Sequence, residues 1–259
     1  MNRVVFLIII LVLVFLLRGI VFSRGDLPLP PSPPPEFYGD VLINKRSLGK
    51  DNSMAPVVFS HWLHRVKYRC NVCHVEIGFS MKSNETDIEC ERMFNKGEYC
   101  GACHNGRIAF GRTETEGKKC DLCHNSMSAS NIDRFNTFKD KMPRSNFGNE
   151  VDWAKALTNN LISPKYDLSG NGHRSMSVDK TLILKAEMSG IPSAVFPHGV
   201  HEEWLDCSNC HPDIFNIKKK TTMTLTMQNI LKGEACGLCH LRVAFPLNDC
   251  KRCHPGIRR

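Results

Sequence analysis

The chain has 259 residues, a formal charge of +8, 42% hydrophobic residues and 13 cysteines. That length suits one large domain or two small ones, and the cysteine content is far above that of an ordinary globular chain. Much of the aliphatic material sits in the first 23 residues, so two domains of roughly 90 residues would have poor cores without a staple.

At the N-terminus, Arg3 precedes an unbroken apolar run from Val4 to Leu17, the layout of an export signal. The run is short for a full span unless Gly19 to Phe22 extend it past Arg18. Val21 and Ser23 suit the small-residue positions of a cleavage site, and an uncleaved anchor over residues 4–23 is the alternative. Residues 1–25 are therefore expected to be a signal peptide or signal anchor. Either way the cysteines end up outside the cytoplasm, on the periplasmic side of the inner membrane. Residues 26–37, "DLPLPPSPPPEF", form a proline-rich spacer. At ~3.1 Å per residue a polyproline II segment of this length reaches roughly 40 Å, enough to lift the rest of the chain off a membrane.

Two homologous blocks follow, expected at residues 38–126 and 176–259. "VFSHWLH" at 58–64 matches "VFPHGVH" at 195–201, and "KGEYCGACHNGRIAF" at 96–110 matches "KGEACGLCHLRVAF" at 232–245. "KKCDLCH" at 118–124 matches "NDCKRCH" at 248–254. Upstream, "DVLINK" at 40–45 echoes "TLILKA" at 181–186, and each reads as a short strand. The period is about 137 residues, a tandem duplication and not a solenoid. The segment between the blocks, 127–175, is polar and broken by "SGNG". It has one credible helix, "NEVDWAKAL", with Asn149 as N-cap and Asp152 three residues on.

Six cysteine pairs occur, each followed at once by histidine: Cys70–Cys73–His74, Cys100–Cys103–His104, Cys120–Cys123–His124, Cys207–Cys210–His211, Cys236–Cys239–His240 and Cys250–Cys253–His254. This is the attachment signature of c-type haem. Two thiols two residues apart on a helical turn reach the two vinyl groups of one porphyrin, and the adjacent imidazole falls under the iron as proximal ligand. Zinc ribbons have no use for a histidine after every pair, and thioredoxin-like motifs come singly on a βαβ frame. A set of disulfides would suit the exported location but leaves the six histidines unexplained. Six covalently bound haem c groups also supply the missing core. Their propionates turn the formal +8 into about +2 when oxidised and −4 when reduced, which removes the usual reason to expect a nucleic-acid partner.

Of the remaining histidines, His61/His64 and His198/His201 sit at i, i+3, on one face of a helical turn, where two imidazoles can point at two different irons. His173, in the "SGNG" loop, has no counterpart in the first block and reads as a solvated loop histidine.

The arrangement resembles the class III multihaem cytochromes (the cytochrome c3 superfamily), specifically the three-haem cytochrome c7 type, in tandem duplicate. The resemblance rests on the strand, the "FPHxxH" element and three CxxCH motifs in each block. It implies a mostly irregular fold, with short α-helices and a short β-hairpin per module: two haem-cored domains behind an N-terminal apolar helix. It implies that His61 and His198 cap the first haem of each block, and His64 and His201 the second. One departure stands out. Relatives supply a third distal histidine four residues before the second motif, where this chain has Lys96 and Lys232. The haems on His124 and His254 thus lack an obvious histidine partner. Sulfur offers a substitute: Met227 in the second block and, in the first, Cys90 or its neighbour Met93. The expected function is an electron carrier linking redox-protein donors and acceptors, in particular a membrane respiratory donor and a downstream acceptor. The alternative is a multihaem reductase with an open third haem. Four irons closed by two histidines each, and no cluster of Arg, Tyr and His for an oxyanion pocket, favour the carrier.

Overall fold

Each half of the chain opens with a two-stranded antiparallel hairpin. In the first, β1 (Asp40–Ile43) pairs with β2 (Val57–Ser60), Asp40 opposite Ser60. In the second, β3 (Thr181–Leu184) pairs with β4 (Ala194–Pro197), Thr181 opposite Pro197. The computed structural model describes residues 33–34, 37–44, 55–111, 120–124, 129–172, 177–217 and 225–258. The expected N-terminal apolar segment, most of the proline-rich spacer and His173 lie outside them. Among the described residues, no helix is long and apolar enough to cross a membrane.

The helices are short. They are α1 (His61–Arg65), α2 (Cys90–Lys96), α3 (Ala129–Lys139), α4 (Trp153–Thr158), α5 (His198–Glu202), α6 (Met227–Leu231), α7 (Gly237–His240) and α8 (Cys250–Cys253). Single helical turns at Val72–Glu76, Tyr99–Ala102, Cys120–Leu122 and Cys207–Asn209 carry the other cysteine motifs. Strand β2 passes directly into α1, and β4 into α5. The hairpin therefore fixes where the paired histidines begin. Glycine ends the helix before the second motif in both halves: Gly97 follows α2 with φ +71°, and Gly233 lies just past α6 with φ +85°. That left-handed conformation is the usual helix stop and costs glycine nothing. The repeated "KGE" is thus a structural stop.

The segment between the repeats holds two helices where the sequence predicts one. The polar stretch 129–139 forms α3, and Phe135 on it is 1% exposed. Phe135 joins Trp62 and Val151 in a small apolar core, with Leu63, Phe138, Met142 and Trp153 packed around it. Trp62 meets both Phe135 and Phe138 with ring centroids 5.3 Å apart. Trp62 lies between His61 and His64 in sequence, so this core grips the far side of α1 and leaves both imidazoles to the near side. The cap of α4 also differs from expectation. Asp152 accepts the Lys155 amide at 3.1 Å, whereas Asn149 is buried and accepts from Trp153 Nε1 at 3.1 Å. The helix starts at Trp153 because Asp152 has the side chain in reach of the first free amides.

Residues 31–259 form one compact unit. The Cys70 amide donates to Trp204 O at 2.9 Å, and Arg65 Nη2 donates to Val243 O at 2.8 Å. Arg69 faces Glu203 at 3.5 Å and stacks on Tyr166 at 3.8 Å. These contacts tie the first cysteine motif of one half to the chain of the other.

Candidate haem sites

Each of the ten histidines predicted to reach iron has its Nδ1 on a backbone carbonyl. In the hairpin–helix elements, His61 bonds Gly39 O at 2.7 Å and His198 bonds Lys180 O at 2.8 Å. His64 bonds Ser60 O at 3.1 Å and His201 bonds Pro197 O at 2.9 Å. Among the motif histidines, His74 bonds Phe79 O at 3.0 Å, His211 bonds Phe215 O at 2.5 Å, His104 bonds Phe110 O at 3.1 Å, and His240 bonds Phe245 O at 3.0 Å. His124 bonds Ala55 O at 2.6 Å and His254 bonds Pro192 O at 2.8 Å. A carbonyl only accepts, so Nδ1 must carry the proton in every case. The lone pair then sits on Nε2, the nitrogen that remains for a metal. A second-shell bond to the far nitrogen is what fixes ring orientation and tautomer at metal sites.

The five contacts of the first half recur at equivalent positions in the second. So does the aromatic setting. Phe59 lies edge-on to His61 at 4.8 Å and stacks on His64 at 4.3 Å; Phe196 repeats this on His198 at 4.9 Å and His201 at 4.2 Å. The ring centroids of His64 and His104 are 6.4 Å apart, and those of His201 and His240 are 6.3 Å apart. A metal between two opposed imidazoles at about 2 Å each, with each ring centre about 1 Å behind its nitrogen, separates the centroids by about 6 Å.

Burial keeps six of these imidazoles neutral. It draws His61 down to about 3, helped by the Arg65 charge, and His240 down to about 4. His64, His74, His104 and His201 are lowered by the same cause. No proton then competes for Nε2 at neutral pH. Burial likewise raises the Cys73, Cys100 and Cys239 thiols to about 12 and Cys253 to about 11.

A continuous cavity of about 2610 Å³ runs along these residues, against about 300–1,000 Å³ for a pocket holding a single ligand. His61, His64, His74, His104, His124, His201 and His240 line it, with cysteines from all six motifs. A large, mostly apolar space beside paired thiols and neutral imidazoles fits several porphyrins. His198, His211 and His254, with Cys207 and Cys250, lie outside its lining, though each of those histidines keeps its carbonyl contact.

The sulfur candidates sit as follows. Cys90 and Met227 begin α2 and α6, the two helices that precede the second motifs, so they occupy equivalent positions. Cys90 is exposed and close enough to Cys100 and Cys123 to raise both thiols. Met93 is 8% exposed and packs on Gly101; in the second half Ile230 backs Gly237 in its place. Lys96 and Lys232 are both exposed.

Sequence reasoning missed the carbonyl acceptors. A backbone oxygen carries no residue identity. The one available signal was the phenylalanine that follows four of the motifs, Phe79, Phe110, Phe215 and Phe245.

The chain matches the profile of the family "Cytochrome c7 and related cytochrome c" over residues 57–141 and 194–255. No curated protein matches. Among solved structures, the C-terminal hexahaem fragment of a dodecahaem cytochrome c is 25% identical, with 86% of this chain and 99% of that one covered and a TM-score of 0.27. The intact dodecahaem cytochrome is also 25% identical, covering 85% of this chain and 75% of that one, with a TM-score of 0.29. A c7-type three-haem domain is 36% identical over 31% of this chain and 99% of its own, with a TM-score of 0.28. Two matched regions that span more than half of the sequence identify the chain as a member of the cytochrome c7 and related cytochrome c family, multihaem electron-transfer proteins with covalently bound haem c.

Proposed function

We propose that the chain is an exported hexahaem carrier that passes electrons between a membrane respiratory donor and a downstream redox partner. The observation that carries the reading is the duplicated histidine geometry, ten imidazoles with Nδ1 on a carbonyl and two pairs spaced for one iron each. On this reading the six CxxCH motifs each hold one haem c through their thioethers and adjacent histidine. His61 and His198 close the first iron of each half, and His64 and His201 the second. For the third, Met227 serves the haem on His254, and Cys90 or Met93 the haem on His124. Residues 38–126 and 176–259 are the two three-haem modules. Residues 1–25 direct export or anchor the chain, and 26–37 act as the stalk.

The haems supply the one-electron chemistry. The polypeptide holds each imidazole in one tautomer through its carbonyl contact, and burial keeps His61, His64, His74, His104, His201 and His240 neutral. A ligand set that does not rearrange between redox states suits transfer and leaves no coordination position for a substrate, which favours a carrier over a reductase. The test is the mass of the matured protein from a host with c-type maturation and export. Six haems are expected; five or fewer on a fully matured sample would sink the reading. Changing Cys207 and Cys210 to alanine should remove one haem.

A further inference from the structure

Arg65 is placed unlike any other cation described in this chain. It follows His64 on α1 and lines the large cavity. Its Nη2 donates to Val243 O at 2.8 Å, and its guanidinium lies 4.7 Å from the Trp153 ring and 5.9 Å from the Trp204 ring. Its Nε is shielded from solvent and finds no hydrogen-bond partner among the described residues. Nor does Arg65 form an ion pair among them. Arg69, one turn further on, shares the shielded Nε without a hydrogen-bond partner among the described residues, but it has an anion, facing Glu203, and stacks on Tyr166.

Tyr38 stands beside it. The residue is 4% exposed, lines the same cavity, and its hydroxyl also lacks a partner among the described residues. Its ring packs beside Gly148. The Arg65 charge acts on both the Tyr38 phenol and the Cys70 and Cys239 thiols. The cation therefore sits where the first motif of one half meets the second motif of the other.

A half-buried guanidinium with a shielded Nε and no anion is costly, and so is a buried phenol with no acceptor. Native structures satisfy such groups. The planar guanidinium fork matches a carboxylate. We propose that Arg65 and Tyr38 together hold a haem propionate at the junction between the site of Cys70–Cys73–His74 and that of Cys236–Cys239–His240. The inference rests on the haem reading of those two motifs. Beyond it, Arg65 becomes a positioning residue that sets the potential where the halves meet, because a fixed positive charge near an iron favours the ferrous state.

The experiment compares Arg65→Gln, Arg65→Lys and Tyr38→Phe in the full-length matured protein, by intact mass and by spectroelectrochemical titration of all haems. Arg65→Gln should retain six haems and lower one or two of the potentials by about a tenfold change in the reduction equilibrium, about 59 mV for one electron. Arg65→Lys should keep most of the wild-type potential, and Tyr38→Phe should shift it a smaller step in the same direction. Arg65→Gln with six haems and every potential unchanged would overturn the proposal. Should Arg65→Gln fail to mature, Tyr38→Phe decides: a downward shift supports the seat, and unchanged potentials leave Arg65 a structural clasp on Val243 and overturn it. A wild-type mass short of six haems would instead overturn the reading beneath.

Discussion

Replacing Gly237 with alanine should damage one haem site, while the same change at Gly199, in the same half, should not. Gly237 is the second residue of the Cys236–Cys239–His240 motif, and a Cβ there would lie 1.9 Å from Ile230 O and 2.9 Å from Ile230 C. Ordinary contact begins near 3.4 Å, so α6 and the motif must part by about 1.5 Å. Both partners are backbone, and no side-chain rotation relieves the clash. Overpacking of this kind costs about 1–3 kcal/mol, occasionally more. At about 2–4 °C per kcal/mol for a chain of this size, the melting temperature should fall by about 2–12 °C. Gly199 lies in α5 between His198 and His201, and a Cβ there meets nothing within 4 Å. Alanine there should be neutral or add about 0.5–1 kcal/mol of helix stability. The assay is a thermal melt of each matured variant followed at the haem Soret band. An unchanged or higher melting temperature for Gly237→Ala would refute the close approach of Ile230 and the motif. Gly101→Ala, whose Cβ would meet Met93 O at 1.8 Å, should behave as Gly237→Ala does.

Three further outcomes are expected. His201→Ala should open one iron, so that the ferrous protein binds one more equivalent of carbon monoxide than wild type; no added binding would detach His201 from that haem. Acid should release two buried imidazole ligands, the distal His61 and the proximal His240. The folded-state values of His61 and His240 are depressed to about 3 and about 4 from 6.5, so their contribution is intact above pH 6.5 and lost as the pH falls toward those values. A low-spin spectrum that weakened on raising the pH from 5 toward 7 would contradict that sign. Met227→Leu should remove a sulfur-to-iron charge-transfer band and lower one potential, since thioether ligation favours ferrous iron; an unchanged spectrum would return the iron on His254 to the reductase reading.

The parts of the site legible in the sequence are those written as side chains at fixed spacing. The six CxxCH motifs and the His61/His64 and His198/His201 pairs could be read directly, and the strands at 40–43 and 181–184 followed from short apolar runs. What escaped is contributed by backbone or by distant packing. Ala55 O, Pro192 O, Gly39 O and Lys180 O orient four imidazoles through an atom that every residue has. Helix α3 was hidden because Ile132, Phe135 and Phe138 are the sole large apolar residues in "ASNIDRFNTFK", and only the contact of Phe135 and Phe138 with Trp62 makes them a core face. The cap moved from Asn149 to Asp152 because Asn149 was drawn into that same core by Trp153 Nε1. No spacing or motif singles out Arg65; Val243 and the two tryptophans place it at the junction.

The central claim is that this chain holds its irons closed, with two protein ligands each. Near-infrared magnetic circular dichroism of the fully oxidised, matured protein reports the axial ligands of all its haems at once. The account predicts bis-imidazole charge-transfer bands for four haems, with sulfur-ligated bands for the other two. A spectrum dominated by high-spin, five-coordinate haem, or one with fewer than four bis-imidazole haems, would contradict it.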